Sequence, residues 1–242
     1  MAPKSTESIW TRPEQPARGP RPSFSRAQLT EAAIRVADAE GLDAISMRRM
    51  AAEIGSGTMS LYRYVSSKDD LIDLMSDAVA PEYFPPDVTV TGDWRADVRA
   101  LAVRTRQTMH RHPWLAVLSV TRQSAGPNRV RLMESSLSLV ADIGLSIDGM
   151  LNVVGSVAAY INGFVSAELA EAEALRRTGL DLGQWMARQG PFLQSLLQSG
   201  DYPLFTRMTV EGGRELTDPD ERFAFGLDRL LDGIAAALPP AP

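Results

Sequence analysis

Cysteine is missing altogether, and histidine nearly so: only His110 and His112 occur among 242 residues. The first absence excludes a disulfide framework, a zinc–thiolate centre and a thiol nucleophile. The second excludes a histidine-rich metal site, and His110 and His112 cannot share a helix face because positions i and i+2 point apart. No apolar run approaches the roughly 20 residues of a membrane span. The N-terminus has no apolar core of the kind a secretory signal needs. Nucleophile elbow and phosphate-loop patterns are also lacking. These absences lead us to expect a cytoplasmic protein with no cofactor, no metal, no membrane partner and no catalytic residues.

What is present is a chain 44% hydrophobic, long enough for one large domain or two smaller ones around a real core. The net charge of -5 would suit a nucleic-acid binder poorly if it were spread evenly. It is not. Residues 1–68 hold ten Lys and Arg against seven Asp and Glu; residues 69–242 hold fifteen against twenty-three. That asymmetry fits an N-terminal nucleic-acid module on an acidic body, with any binding face a local patch.

The chain is organised around Met47 to Lys68, MRRMAAEIGSGTMSLYRYVSSK. Met50, Ala51 and Ile54 give one short helix an apolar face, and Gly55 ends it. Ser56 and Gly57 complete a tight turn. A second helix is expected over Thr58 to Val65, with Leu61 and Val65 facing inward. Thr58, Met59, Ser60, Tyr62, Arg63 and Tyr64 are left on the remaining surface. A helix, a glycine turn and a helix make the arrangement whose second helix enters a major groove. The exposed set suits that use: hydroxyls for base edges or phosphate, a methionine for apolar base contact, Arg63 and Lys68 for phosphate. A helical hairpin buried in an all-α core would show the same spacing.

Upstream, residues 1–22 carry five prolines and four basic residues and are read as a disordered tail, with a basic arm reaching DNA as the alternative. Ser25 and Gln28 form a capping box that starts the first helix, with Phe24 and Leu29 placed for a hydrophobic staple. Gly41 closes that helix, Leu42 and Ile45 plug the link, and Ser46 caps the next. Downstream, a connecting helix is expected over residues 69–80, stopped by Pro81, Pro85 and Pro86. This divides the chain into a tail (1–22), a reading head (23–68), a connector (69–80) and a body (81–242).

The body shows no strand alternation. Helices are expected over Trp94–Arg111, capped by Asp93, and over a short segment after Pro113. Others follow over Pro127–Ile143, Ser146–Ala174, Gln184–Leu197 with a break at Gly190 and Pro191, and Asp218–Leu238. The sequence loosens from Glu171 to Gly183. Two apolar seams stand out: Leu151, Val154, Ala158, Ile161, Val165 and Leu169, and Phe223, Leu227, Leu230, Ile234 and Leu238. They can pair within one chain or with their copies in a four-helix homodimer interface. DNA reading favours the dimer, because a two-fold pair reads two half-sites one helical turn apart.

The order of these signals resembles the TetR family of bacterial transcriptional regulators. The resemblance is carried by Leu29–Met75, most specifically by LYRYVSSKDDLIDLM. It continues through Leu139–Glu168, which is similar to tetracycline-repressor-type effector domains. It implies an all-α dimer with a three-helix DNA module, a palindromic operator and a body that binds a small-molecule effector. It implies that Arg48 reads a base, that Thr58, Met59 and Ser60 open the groove-facing start of the recognition helix, and that Tyr62, Tyr64 and Lys68 contact the DNA backbone. Arg63 stands where the tetracycline repressor has a tryptophan.

An effector pocket should be apolar with a few polar groups. The residues that could line one are Phe84, Trp94, Met109, His110, Trp114, Met133, Ser136, Asn152, Tyr160, Phe164, Trp185 and Met186. The resemblance does not extend to a tetracycline–magnesium site, since Phe84 stands near the position where that repressor uses a histidine. An apolar or aromatic ligand is expected. The function implied is a repressor released from its operator by such a molecule. The alternatives are an activator or ligand-independent regulator of the same fold, or an α-helical enzyme.

Overall fold

The computed structural model describes residues 8–12, 24–85, 88–121, 125–212 and 218–239, with backbone alone at 119–121 and 182. Among these residues every regular element is helical: α1 (Arg26–Glu40), α2 (Met47–Glu53), α3 (Thr58–Leu61), α4 (Lys68–Val79), α5 (Trp94–Arg111), α6 (Trp114–Thr121), α7 (Pro127–Ser138), α8 (Ile147–Thr178), α9 (Leu182–Arg188), α10 (Gly190–Ser199), α11 (Pro203–Glu211) and α12 (Pro219–Ala236). The chain divides into two compact units, Met1–Gly155 and Ser156–Pro242.

Capping chemistry sets most boundaries in the first unit. Ser25 accepts from the Gln28 amide, and the Gln28 side chain accepts from the Ser25 amide, so both halves of the capping box are made. Ser46 caps α2, and Asp93 caps α5 by accepting from Arg95 and Ala96. α4 begins one residue earlier than the acidic pair suggested, because Ser67 rather than Lys68 is its cap. The link before α5 is held by Asp97, a buried carboxylate. Burial alone would raise its pKa, but hydrogen bonds from the Thr91 amide and hydroxyl and from the Gly92 amide outweigh that and hold it below the usual carboxylate range.

Three expectations need correction. Residues 1–22 are not uniformly unpacked, since Ile9 is buried at 2% exposure and Arg12 pairs with Asp70; residues 1–7 and 13–22 lie outside the described residues. α7 stops at Ser138 and passes into a turn, short of Ile143. α8 runs on to Thr178 through the stretch read as loosening, because AELAEAEALRR is rich in strong helix formers, and it ends at Gly179 in a left-handed conformation.

In the second unit α8 meets α12. Val157, Ile161 and Val165 on α8 and Phe223, Leu227 and Leu231 on α12 are buried. The buried stripe of α8 is thus rotated from the seam read in the sequence, and Leu151 is exposed. Tyr160, Phe164 and Phe223 form a ring cluster with centroids 5.2–6.0 Å apart, and the Tyr160 hydroxyl donates to the Phe223 carbonyl at 2.8 Å. α9 and α10 divide at Gln189, with Pro191 in the first turn of α10. α11, which the sequence reading did not assign, opens on Pro203. By length and composition α8 also passes as a possible membrane span, with mean hydropathy 1.4 over an 18-residue window, although Asn152, Ser156, Asn162 and Ser166 recur along it.

Candidate nucleic-acid interface

The turn between α2 and α3 is built from backbone bonds. Gly55 adopts φ 65°, where a side chain would be strained, and the Ser56 amide donates to the Ala51 carbonyl at 2.9 Å. Met50, Leu61 and Val65 are fully buried, which fixes the rotation of the second helix. Its regular part is shorter than expected, Thr58–Leu61. Tyr62–Tyr64 then wind as a tighter turn, with the Tyr64 amide donating to Leu61 at 2.8 Å, before Val65 returns to a helical bond on the same carbonyl at 3.1 Å.

With Leu61 and Val65 buried, the outward face is as the spacing implied. Met59 is 80% exposed, Tyr62 and Arg63 are exposed, and Thr58 and Ser60 are half-buried. Tyr64 differs: it is half-buried, its ring 4.5 Å from Phe24, while its carbonyl accepts from Arg26 at 3.2 Å. The two arginines of α2 separate cleanly. Arg49 bonds Glu40 and Glu53 at 2.7 Å each, and those bonds raise its pKa above the ordinary arginine value. Arg48 is exposed and has no ion pair among the described residues. Lys68 is half-buried and its ammonium donates to the Leu42 carbonyl at 3.2 Å, tying the start of α4 to the α1–α2 link.

Two joints fasten this head to the helices behind it within the first unit. At one, the imidazole of His112, just past α5, lies 2.8 Å from Asp38 of α1 and 3.2 Å from Glu82, which follows α4. The Trp114 indole donates to the same Asp38 oxygen at 2.7 Å, and Arg111 pairs with Glu82 at 2.7 Å. His112→Ala removes both carboxylate contacts from a buried position. It is expected to lower the unfolding free energy by about 1–3 kcal/mol, read by urea denaturation; an unchanged midpoint would show that this joint stabilises nothing. At the other, buried Asp77 of α4 accepts from the Asn128 and Arg129 amides at the start of α7, at 2.8 and 2.9 Å. Nearby Tyr83 is buried under Arg129, and burial pushes its hydroxyl up to about 12, so the phenol stays neutral.

Comparison with known proteins bears directly on this arrangement. Residues 29–75 match the family model described as bacterial regulatory proteins, tetR family, and residues 86–238 match the tetracyclin repressor-like C-terminal domain. The chain belongs to the TetR family. It is 40% identical over 233 residues, 96% of this chain and 84% of the relative, to the HTH-type transcriptional repressor DrrR1 of Streptomyces coeruleorubidus. It is 35% identical to an HTH-type transcriptional regulator of Saccharopolyspora erythraea, covering 95% of this chain and 92% of that one. Among solved structures it resembles ActR of Streptomyces coelicolor in complex with actinorhodin, at TM-score 0.73 and 26% identity, over 90% of this chain and 99% of that one. The protein is therefore a DNA-binding transcriptional regulator. The matched span 29–75 coincides with the stretch that carried the resemblance.

Within this TetR-family body the residues considered for an effector pocket fall in different settings. In the first unit Met109 and Trp114 are buried, Phe84 and Trp94 half-buried, and His110, Met133 and Asn152 exposed. Ser136 is buried with its hydroxyl donating to Leu132 at 2.8 Å, so it and Trp114 already have protein partners. In the second unit Tyr160 and Phe164 join the ring cluster, Met186 is half-buried and Trp185 is exposed. Arg104 of α5 was not among these residues, yet its Nε is buried with no hydrogen-bond partner among the described residues. It is one of five arginines on that helix, and nothing in the sequence sets it apart. His112, Asp38 and Asp77 left none, because their partners lie 30–76 residues away.

Proposed function

We propose that the protein is a homodimeric repressor that holds a palindromic operator and leaves it when a small apolar or aromatic molecule binds its body. The observation that carries the reading is the contrast on one short helix: Leu61 fully buried and Met59 80% exposed, beside the exposed Arg48 and Arg63. So large an exposed side chain at a helix-turn-helix gives DNA an apolar base contact. In this reading Arg48 reads a base, Thr58, Met59 and Ser60 enter the groove, and Tyr62, Arg63, Tyr64 and Lys68 hold the DNA backbone. The head comprises residues 23–68, the connector 69–80 and the body 81–242.

The dimer is supported by α8. Leu151, Gly155 and Ala159 follow one another at four-residue spacing on its exposed side, and a Cβ at Gly155 would meet nothing within 4 Å. A second copy covers this apolar helix in our account, in place of lipid, and the protein works in the cytoplasm with no enzymatic role. The ligand class is supported by the ring cluster at Tyr160, Phe164 and Phe223, and by the neighbour ActR, solved with actinorhodin. Release requires that the ligand bind the DNA-incompetent state better than the DNA-bound one; otherwise the equilibrium does not move.

The test is an electrophoretic shift with the DNA upstream of its own gene, followed by a panel of aromatic metabolites. A shifted band that one metabolite abolishes is expected. No shift with any duplex at low salt would overturn the reading.

A further inference from the structure

Residues Ser8–Arg12 form a small self-supported turn: the Thr11 amide donates to the Ser8 carbonyl at 3.2 Å and the Trp10 amide to the Ser8 hydroxyl at 3.3 Å. The turn is fastened at three places. Ile9 is buried at 2% exposure. The Arg12 guanidinium donates to the Ser66 hydroxyl and lies 3.3 Å from Asp70, with both charged side chains less than a fifth exposed. The Trp10 ring lies over Gly126, so close that a methyl group there would come within 2.6 Å of Trp10 and nearer still to Asp77.

These contacts converge on the recognition segment. Asp70 accepts from the Ser66 amide at 2.8 Å, fixing the backbone just after Val65. The Arg12 carbonyl accepts from the Arg26 guanidinium at 3.4 Å, and Arg26 in turn donates to the Tyr64 carbonyl at 3.2 Å. Arg12 thus holds Ser66 through its side chain and supports Tyr64 through its backbone. Asp70 and Asp77 are seven residues apart on α4, two turns on one face; the clip holds α4 directly at Asp70, while Trp10 and Asp77 both lie against Gly126.

We propose that Ile9–Arg12 is an integral part of the reading head, and that Arg12 is a positioning residue for DNA recognition rather than an arm that touches DNA. It sets the end of the recognition segment against α4, the helix that joins head to body. A cation spent on Ser66 and Asp70 contributes orientation, not phosphate charge. This rests on the DNA-binding reading above, and its test keeps the two apart.

The full-length chain carrying Arg12→Ala is compared with wild type in two measurements. The first is amide exchange in the free protein: the Tyr64, Val65 and Ser66 amides should exchange faster while those of α1 and α5 do not. The second is affinity for the duplex that the wild-type protein enriches from a random pool. Affinity should fall about tenfold, with the slope of log affinity against log salt unchanged. Arg12→Lys should not restore it, and Asp70→Asn should add little to the loss already caused by Arg12→Ala. A slope smaller by about one, with Lys restoring binding, would make Arg12 a phosphate ligand and overturn the proposal. So would unchanged exchange at Tyr64–Ser66, whether or not the protein binds DNA. A wild-type protein that enriches no duplex sinks the DNA-binding reading, and the exchange experiment then judges the clip alone.

Discussion

Asp77→Ala is expected to lower the unfolding free energy by about 2–4 kcal/mol and to yield a DNA complex that ligand no longer dissolves. Asp77 is 5% exposed, and one of its oxygens accepts two amides of the first turn of α7. The alanine variant leaves those two part-buried amides without acceptors and removes an anion from the positive end of a helix. Each part-buried donor left unpaired costs about 1–1.5 kcal/mol, the low end for a buried one, and the helix-end charge adds up to roughly 1 more. Asp77→Asn keeps one acceptor oxygen and should lose less. Equilibrium urea unfolding measures the first effect. The second follows from the proposed release: Asp77 joins the connector α4 to α7, so a ligand-driven displacement of α7 would reach the head through this contact. A loss under about 0.5 kcal/mol, or ligand release indistinguishable from wild type, would remove Asp77 from the account.

Arg48→Ala is expected to flatten base preference at one position of each half-site by about 1–3 kcal/mol, roughly a 5- to 150-fold loss of discrimination. Total affinity for unrelated DNA should change far less. The neighbouring arginine is the internal control. Arg49 is committed to Glu40 and Glu53, so Arg49→Ala should leave base preference as it was. The comparison is made by binding wild type and both variants to a set of duplexes that differ at single base pairs. Equal, sequence-blind losses from the two substitutions would contradict the division of roles read from their surroundings.

The head was legible because its signals are local. Ser25 with Gln28, Ser46, Gly41 and Gly55 each act on backbone within four residues, and all act as the sequence suggested. The burial of Leu61 and Val65 followed from helical spacing alone. What escaped was set by distant partners or by composition averaged too broadly. Ile9 and Trp10 are two apolar residues in a stretch dominated by proline and charge, and the average concealed the anchor they make. His112 was given no role beyond its failure to share a helix face with His110, because its acceptors, Asp38 and Glu82, are 74 and 30 residues away. Lys68 was read as a phosphate contact; in the structure its ammonium donates to the Leu42 carbonyl, a bond no periodicity can show. In the body, α8 outran its expected end because propensity in AELAEAEALRR persisted after the apolar stripe faded. α11 was passed over because its nine residues carry Leu204, Phe205 and Met208 at helical spacing for little more than one turn, a stripe too short to stand out.

The central claim is that two copies of this head act together on one duplex and release it on ligand binding. Sedimentation velocity of the purified protein mixed with a fluorescent duplex bearing the enriched two-fold site tests it most directly. The account predicts a complex of two chains, or a whole multiple of two, per duplex, dissolving when the effector is added. A single chain on the duplex, or free DNA at every protein concentration in low salt, would contradict it.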